Sequence, residues 1–131
     1  DIWESKQLRL IIEAKTQSSL MLVPVGTVDL FDFDPFHLRA GVGILIANKE
    51  HRQKGYATEA LKLLMHYSFE TLQLHQLYCN VSHDNFISLQ LFKNAGFAEV
   101  GIKKDWTKTA NGWMDEIMLQ AINPLHDISH S

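Results

Sequence analysis

One run of residues constrains this chain more than any other. A β-rich stretch, Val42-Gly43-Ile44-Leu45-Ile46, leads through a polar loop, His51-Arg52-Gln53-Lys54-Gly55, into a strongly periodic helix. Ala57, Ala60, Leu61, Leu64, Met65, Ser68, Phe69 and Leu72 recur at the spacing of one helical face. Glu59, Lys62, His66, Glu70 and Gln73 take the opposite face and should meet solvent. A short strand follows over Gln76 to Val81, with Leu77, Cys79 and Val81 on one side and Tyr78 and Asn80 on the other. A strand–helix–strand crossover is therefore expected in the middle of the chain.

The flanks read as antiparallel. Leu8 to Ala14, Leu20 to Leu30 and Arg39 to Ile46 form three extended runs, joined by a turn at Lys15 to Ser19 and a hairpin connection at Phe31 to Leu38. Pro24 cannot donate to a ladder, so it calls for an edge position or a bulge. Beyond the crossover, Asp84 or Asn85 can cap a second helix running to about Ala95, and Gly96 sits where a helix-ending glycine belongs. Phe97 to Ile102, the turn signal Asn111-Gly112 and Trp113 to Ala121 complete a hairpin. The expected class is α+β, or mixed α/β: a mostly antiparallel sheet with a central crossover. The 131 residues suit one domain, 1–122, with 123–131 as a flexible polar tail.

Charge and composition narrow the partners. A net charge of -3 and a pI near 6.1 argue against nucleic acid, which demands a basic surface. The apolar runs are too short to cross a bilayer, and no basic-then-apolar leader opens the chain, so no membrane partner is expected. The single Cys79 excludes an internal disulfide and suits a reducing, cytoplasmic compartment; it reads as a small buried hydrophobe on its strand. Seven histidines show no metal-ligand spacing, so no metal is expected.

The glycine loop carries chemistry. The first N–H groups of a helix lack partners inside it, and the helix dipole adds partial positive charge there. Gly55 and the small Ala57 leave the backbone approachable, and Arg52 and Lys54 add charge at the same end. Such a loop suits an anion, phosphate above all. A second marker follows: Asn85, a short helix carrying Ser88, and the closing pair Gly96-Phe97.

Together, Arg52-x-x-Gly55-x-Ala57 and Asn85-x-x-Ser88 with Gly96-Phe97 resemble the GNAT N-acetyltransferases. Gly26-Thr27-Val28-Asp29-Leu30, His37-Leu38-Arg39-Ala40, Leu72-x-Leu74-His75 and Asn111-Gly112-Trp113-x-Asp115 extend the likeness. They resemble the bacterial spermidine N-acetyltransferases and the ribosomal-protein N-terminal acetyltransferases within it. The resemblance implies the acyl-CoA N-acyltransferase fold, without the strand and helices that open that fold in the family. It implies acetyl-CoA as cosubstrate. Backbone N–H groups across Gln53, Lys54, Gly55, Tyr56, Ala57 and Thr58 would hold its pyrophosphate. Ile44, Leu45 and Ile46 would pair with the pantetheine arm, on a strand splayed from the Tyr78–Val81 strand. Asn85 would bond a pantetheine amide; Ser88 either does the same or serves only the first turn of its helix. Phe92 and Phe97 would pack near the cofactor.

Acetyl transfer needs an uncharged amine, so a base must take a proton. Asp29 and Asp32 are the candidates, as base or as acceptor-binding groups; their plainer reading is a charged strand end and an Asx turn. Asp115 and His83 read more simply as surface residues, and Trp106 and Trp113 as hairpin packing. Where many GNAT enzymes carry a tyrosine acid, this chain has Phe92, which has no proton to give. The expected acceptor is a primary amine, a polyamine such as spermidine. The alternatives are a protein N-terminus, or a CoA-binding module without efficient turnover. A homodimer or larger homo-oligomer fits the family.

Overall fold

The six strands form one sheet in the order β1-β2-β3-β4-β6-β5. They are β1 (Leu8–Lys15), β2 (Leu22–Asp34), β3 (Arg39–Ile46), β4 (Gln76–Ser82), β5 (Ala98–Thr109) and β6 (Gly112–Ile122). The computed structural model describes residues 7–15, 22–46 and 55–126. Every neighbouring pair is antiparallel except β3 with β4. That parallel pair is bridged by helix α1 (Tyr56–His66), as the crossover requires. Helix α2 (Phe86–Asn94) connects β4 to β5.

One face of the sheet carries the core. Val28, Leu30, Val42, Leu77, Cys79, Val81, Leu119 and Ala121 pack there with Leu61 and Leu64 of α1 and Leu89 and Phe92 of α2. Each leucine so buried contributes about 1.5–3 kcal/mol. The alternate strand residues, Tyr78 and Asn80 among them, project from the other face.

Several boundaries differ from the sequence reading, each for a local reason. The expected helix to Leu72 changes pitch: Tyr67–Thr71 is a π-turn, closed by Leu72 N–H on the Tyr67 carbonyl (3.0 Å) and Leu74 N–H on Ser68 (2.9 Å). Ser68 is fully buried on the apolar face because its hydroxyl donates to the Leu64 carbonyl one turn back (2.7 Å). Strand β2 runs on to Asp34 instead of stopping at Leu30. Asp32, at φ 50°, lies in a register break between Phe31 and Asp34. Pro24 does mark a bulge. Ile12 pairs with Gly26 and Glu13 with Pro24, so Val25 is the extra residue. Strand β5 is longer than expected because it continues past a break between Lys103 and Thr107, where Asp115 Oδ1 accepts the Asp105 N–H (2.9 Å).

The residues from Asn123 to His126 are not a loose tail. Asn123 is fully buried, its Nδ2 donating to the Phe69 (3.2 Å) and Leu74 (2.9 Å) carbonyls and its Oδ1 accepting the Leu125 N–H (2.9 Å). Pro124–His126 forms a 3-10 turn behind it. No described helix is long and apolar enough to cross a membrane.

Candidate functional site

The parallel pairing of β3 and β4 is brief. Arg39, Ala40 and Gly41 pair with Gln76, Leu77 and Tyr78, and beyond Gly41 the strands part. From Val42 to Leu45 the β3 edge facing β4 has no strand partner among the described residues. A free strand edge offers alternating N–H and C=O groups to an extended chain bearing amides.

A cleft of about 270 Å³ opens beside that edge. Three elements wall it: Ile44, Leu45 and Ile46 of β3; Gly55, Ala57 and Thr58 at the start of α1; Asn85 and Ser88 at the start of α2. All eight are residues the sequence reading assigned to the cofactor. Ile87 and Leu91 complete the lining and were not among them. A helical spacing of three from Asn85 through Ser88 reaches Leu91, so periodicity could have found it; Ile87 carries no such signal.

Gly55 has φ 78°, in the left-handed region, and a Cβ placed there would meet nothing within 4 Å. The glycine is needed for its backbone conformation, not for space. Gly55, at the N-cap of α1, makes no side-chain cap, and the first turn closes with Glu59 N–H on the Gly55 carbonyl (3.1 Å). The Ala57 and Thr58 N–H groups lie ahead of that bond, at the positive end of the helix and at the cleft wall. At the facing helix, Asn85 Oδ1 accepts the Ser88 N–H (3.1 Å). Its carbonyl is thus committed to the cap, which leaves the Nδ2 donor as the group it can offer the cleft.

Other candidates fall elsewhere. Gln53 and Lys54, with Arg52, lie outside the described residues. Tyr56 lines a separate hollow between β1 and α1, with Leu10, Ile12, Glu13 and Leu63. Phe92 is not in the cleft wall: its ring is 4% exposed and packs edge to face on Phe97 (5.1 Å) inside the core. Successive residues on a helix point 100° apart, so with Leu91 facing the cleft its neighbour turns inward.

Asp29 and Asp32 sit away from the cleft. Asp29 is on the face opposite the core, between Val28 and Leu30, and both its oxygens are held by Arg9 (Nε 2.8 Å, Nη2 3.0 Å). Asp32 is exposed, and its charge reaches Tyr78. Burial, then the Asp32 charge, push the Tyr78 phenol up, against a smaller opposing effect of Arg39. Burial pushes the Cys79 thiol up to about 12, so it is an inert core group. The Asp115 carboxyl is held below its usual range, chiefly by the Asp105 N–H and secondarily by Lys104, and braces the β5 break. Trp106 and Trp113 pack within the hairpin, beside Lys103 (4.8 Å) and the cross-strand Lys108 (6.0 Å), and both stay more than half exposed. Among the described residues no three histidines, cysteines or carboxylates gather as a metal site would need.

Comparison with known proteins bears on this geometry. The family described as Acetyltransferase (GNAT) domain matches residues 1–98. The chain is 33% identical over 100 residues to the probable N-acetyltransferase YjcK of Bacillus subtilis, covering 76% of this chain and 55% of that protein. It is 32% identical over 100 residues to a spermidine N(1)-acetyltransferase of Vibrio cholerae, covering 76% and 54%. The chain thus spans about half the length of the curated relatives it matches. Among solved structures, the Vibrio cholerae spermidine N-acetyltransferase in complex with CoA and spermine superposes with a TM-score of 0.80 at 24% identity, over 93% of this chain and 69% of that one. A dodecameric form of the same enzyme gives 0.78, over 93% and 68%.

Proposed function

The chain belongs to the GNAT acetyltransferase family, and we propose that it serves the transfer of an acetyl group from acetyl-CoA to a primary amine. The observation that carries this reading is the convergence of the β3 edge, the start of α1 and the Asn85 cap on one cleft. The Ala57 and Thr58 N–H groups suit the pyrophosphate. The β3 edge from Val42 to Leu45 suits the amides of the pantetheine arm, with Asn85 Nδ2 as a further donor. The cosubstrate supplies an activated acyl group, and the protein supplies position.

The leaving thiol has an ordinary pKa of about 8.5, so it can depart as thiolate without a protein acid. That matters because Phe92 is sealed in the core and carries no proton. The same observation favours the second reading, a CoA-binding module without efficient turnover. The polyamine acceptor is supported by the spermidine N(1)-acetyltransferase relative and by the exposed Asp32, whereas Asp29 is committed to Arg9; the alternative is a protein N-terminus. A homo-oligomer is supported by the dodecameric neighbour.

The test is release of CoA thiol from acetyl-CoA, measured with spermidine, spermine, small amines and peptides bearing a free N-terminus. Turnover that Gly55→Glu abolishes supports the transferase. Acetyl-CoA binding without turnover on any acceptor supports the binding module.

A further inference from the structure

Two histidines from distant parts of the chain meet at the end of the sheet where β3 and β4 begin. His75 precedes β4, and His126 closes the 3-10 turn after β6. Their Nδ1 atoms lie 3.4 Å apart, and both rings are half-buried. The ring centres are 5.5 Å apart, with the planes tilted by 24°. The two nitrogens are thus nearer to each other than the centres are, with no room for a water between them.

Backbone bonds put the rings there. The His75 N–H donates to the Leu38 carbonyl (2.7 Å), and the His75 carbonyl accepts the Asn123 N–H (2.8 Å). The His126 N–H donates to the Asn123 carbonyl (3.0 Å). Asn123 itself is buried and bonded to the Phe69 and Leu74 carbonyls. Two like side chains are therefore held face to face, and their contact depends on protons. A neutral imidazole has one donor and one acceptor nitrogen, whereas an imidazolium has only donors. For the pair to bond, one Nδ1 must carry a hydrogen and the other must not. That holds with neither ring charged, or with one charged. With both charged the acceptor is gone, and two positive charges stand 3.4 Å apart.

The elements around the pair supply no counter-charge. The β2–β3 turn brings Asp34, His37 and Arg39, which engage one another. The π-turn brings Tyr67 and Glu70, and Glu70 pairs with His66 of α1. From β4 and β6 come Gln76 and Gln120, which bond each other. Among the described residues no carboxylate pairs with either imidazole; Asp127, next along the chain, lies outside them.

We propose that His75 and His126 form an acid-released latch: near neutral pH a shared hydrogen holds the Pro124–His126 turn on the start of β4, and protonation of both rings frees it. The freed turn takes up a proton that the latched one excludes, so the latch weakens as pH falls. Histidine changes charge between about pH 5 and pH 8, and the device works in that range. Its reach is local. The bonds from the Asn123 side chain to the π-turn hold no titrating group, so the sheet stays folded when the turn lets go.

Amide hydrogen exchange on the full chain tests this, read as protection factors so that the intrinsic pH dependence of exchange cancels. The reporters are the amides of residues 125 and 126; the control is the amide of Leu119, at a fully buried position of β6. In the wild type, protection at the reporters should fall about tenfold or more from about pH 7.5 to about pH 5, while Leu119 holds. In His126→Ala and in His75→Ala it should be low at both pH values, with Leu119 still protected. Unchanged wild-type protection overturns the latch. Variants that keep the neutral-pH protection of the wild type overturn it too. A fall that persists in either variant does the same, because another group then titrates. So does a loss at Leu119 in step with the turn, because the whole fold then responds to acid.

Discussion

The Phe31 ring lies so close over Gly41 that a Cβ at position 41 would stand 2.3 Å from its Cε2. Glycine is therefore required on β3 by an aromatic ring on β2, not by backbone conformation. Gly41→Ala must push Phe31 off the sheet and away from Tyr78. Overpacking of this kind costs about 1–3 kcal/mol, to be read as a lower denaturation midpoint in urea.

Asn123 ties the end of β6 to the π-turn through the Phe69 and Leu74 carbonyls. Asn123→Ala leaves both carbonyls buried and unpaired, at roughly 1–3 kcal/mol for each group orphaned. Equilibrium unfolding should show that loss. Hydrogen exchange should quicken at Leu125, whose N–H bonds to Asn123 Oδ1.

Asn85 caps α2 at the cleft, and its Nδ2 is the donor proposed for CoA. Asn85→Ala removes the cap and should destabilise α2 by about 1 kcal/mol. It should also weaken CoA binding. Asn85→Asp restores the cap acceptor but not the Nδ2 donor, and places a negative charge at the cleft. Stability that recovers in Asn85→Asp while CoA affinity stays low would separate the two roles. Equal recovery of both would reduce Asn85 to a cap.

Asp34 organises the β2–β3 turn. The His37 backbone N–H (2.9 Å) is the largest influence on its carboxyl, followed by the His37 ring, and the Phe36 N–H (3.0 Å) adds to them; the pKa is held at about 2. A group whose folded pKa is depressed contributes stability above its unfolded value, near 3.8, and that contribution fades as pH falls toward the folded one. The urea midpoint should therefore fall between about pH 4 and pH 2, and Asp34→Asn should flatten that part of the profile. An unchanged slope in the variant would mean that other carboxylates govern it.

The parts of this structure that were legible in the sequence are those with a local signal. Strand β3, the start of α1 at a glycine and the Asn85 cap each rest on neighbours within a few residues. The cleft lining followed because all three wall segments belong to such signals. What was not legible depends on distant partners. Asn123 looked like tail because its polar side chain finds its carbonyls 54 and 49 residues away. Ser68 sat on an apolar stripe without revealing that it would bond its own helix and precede a change of pitch. Nothing local to α2 signals that its Phe92 ring packs on Phe97. Asp29 and Asp32 looked alike until Arg9, on another strand, took one of them.

The central claim is that the cleft between β3, α1 and α2 binds CoA through the helix start at Gly55. The most direct measurement is calorimetric titration of acetyl-CoA into the wild type and into Gly55→Glu. The variant adds a carboxylate at the proposed phosphate position and a side chain at φ 78°. Saturable one-site binding by the wild type, weakened at least a hundredfold in a variant that still melts cooperatively, is the expected result. No binding by the wild type, or equal binding by a folded Gly55→Glu, would contradict it.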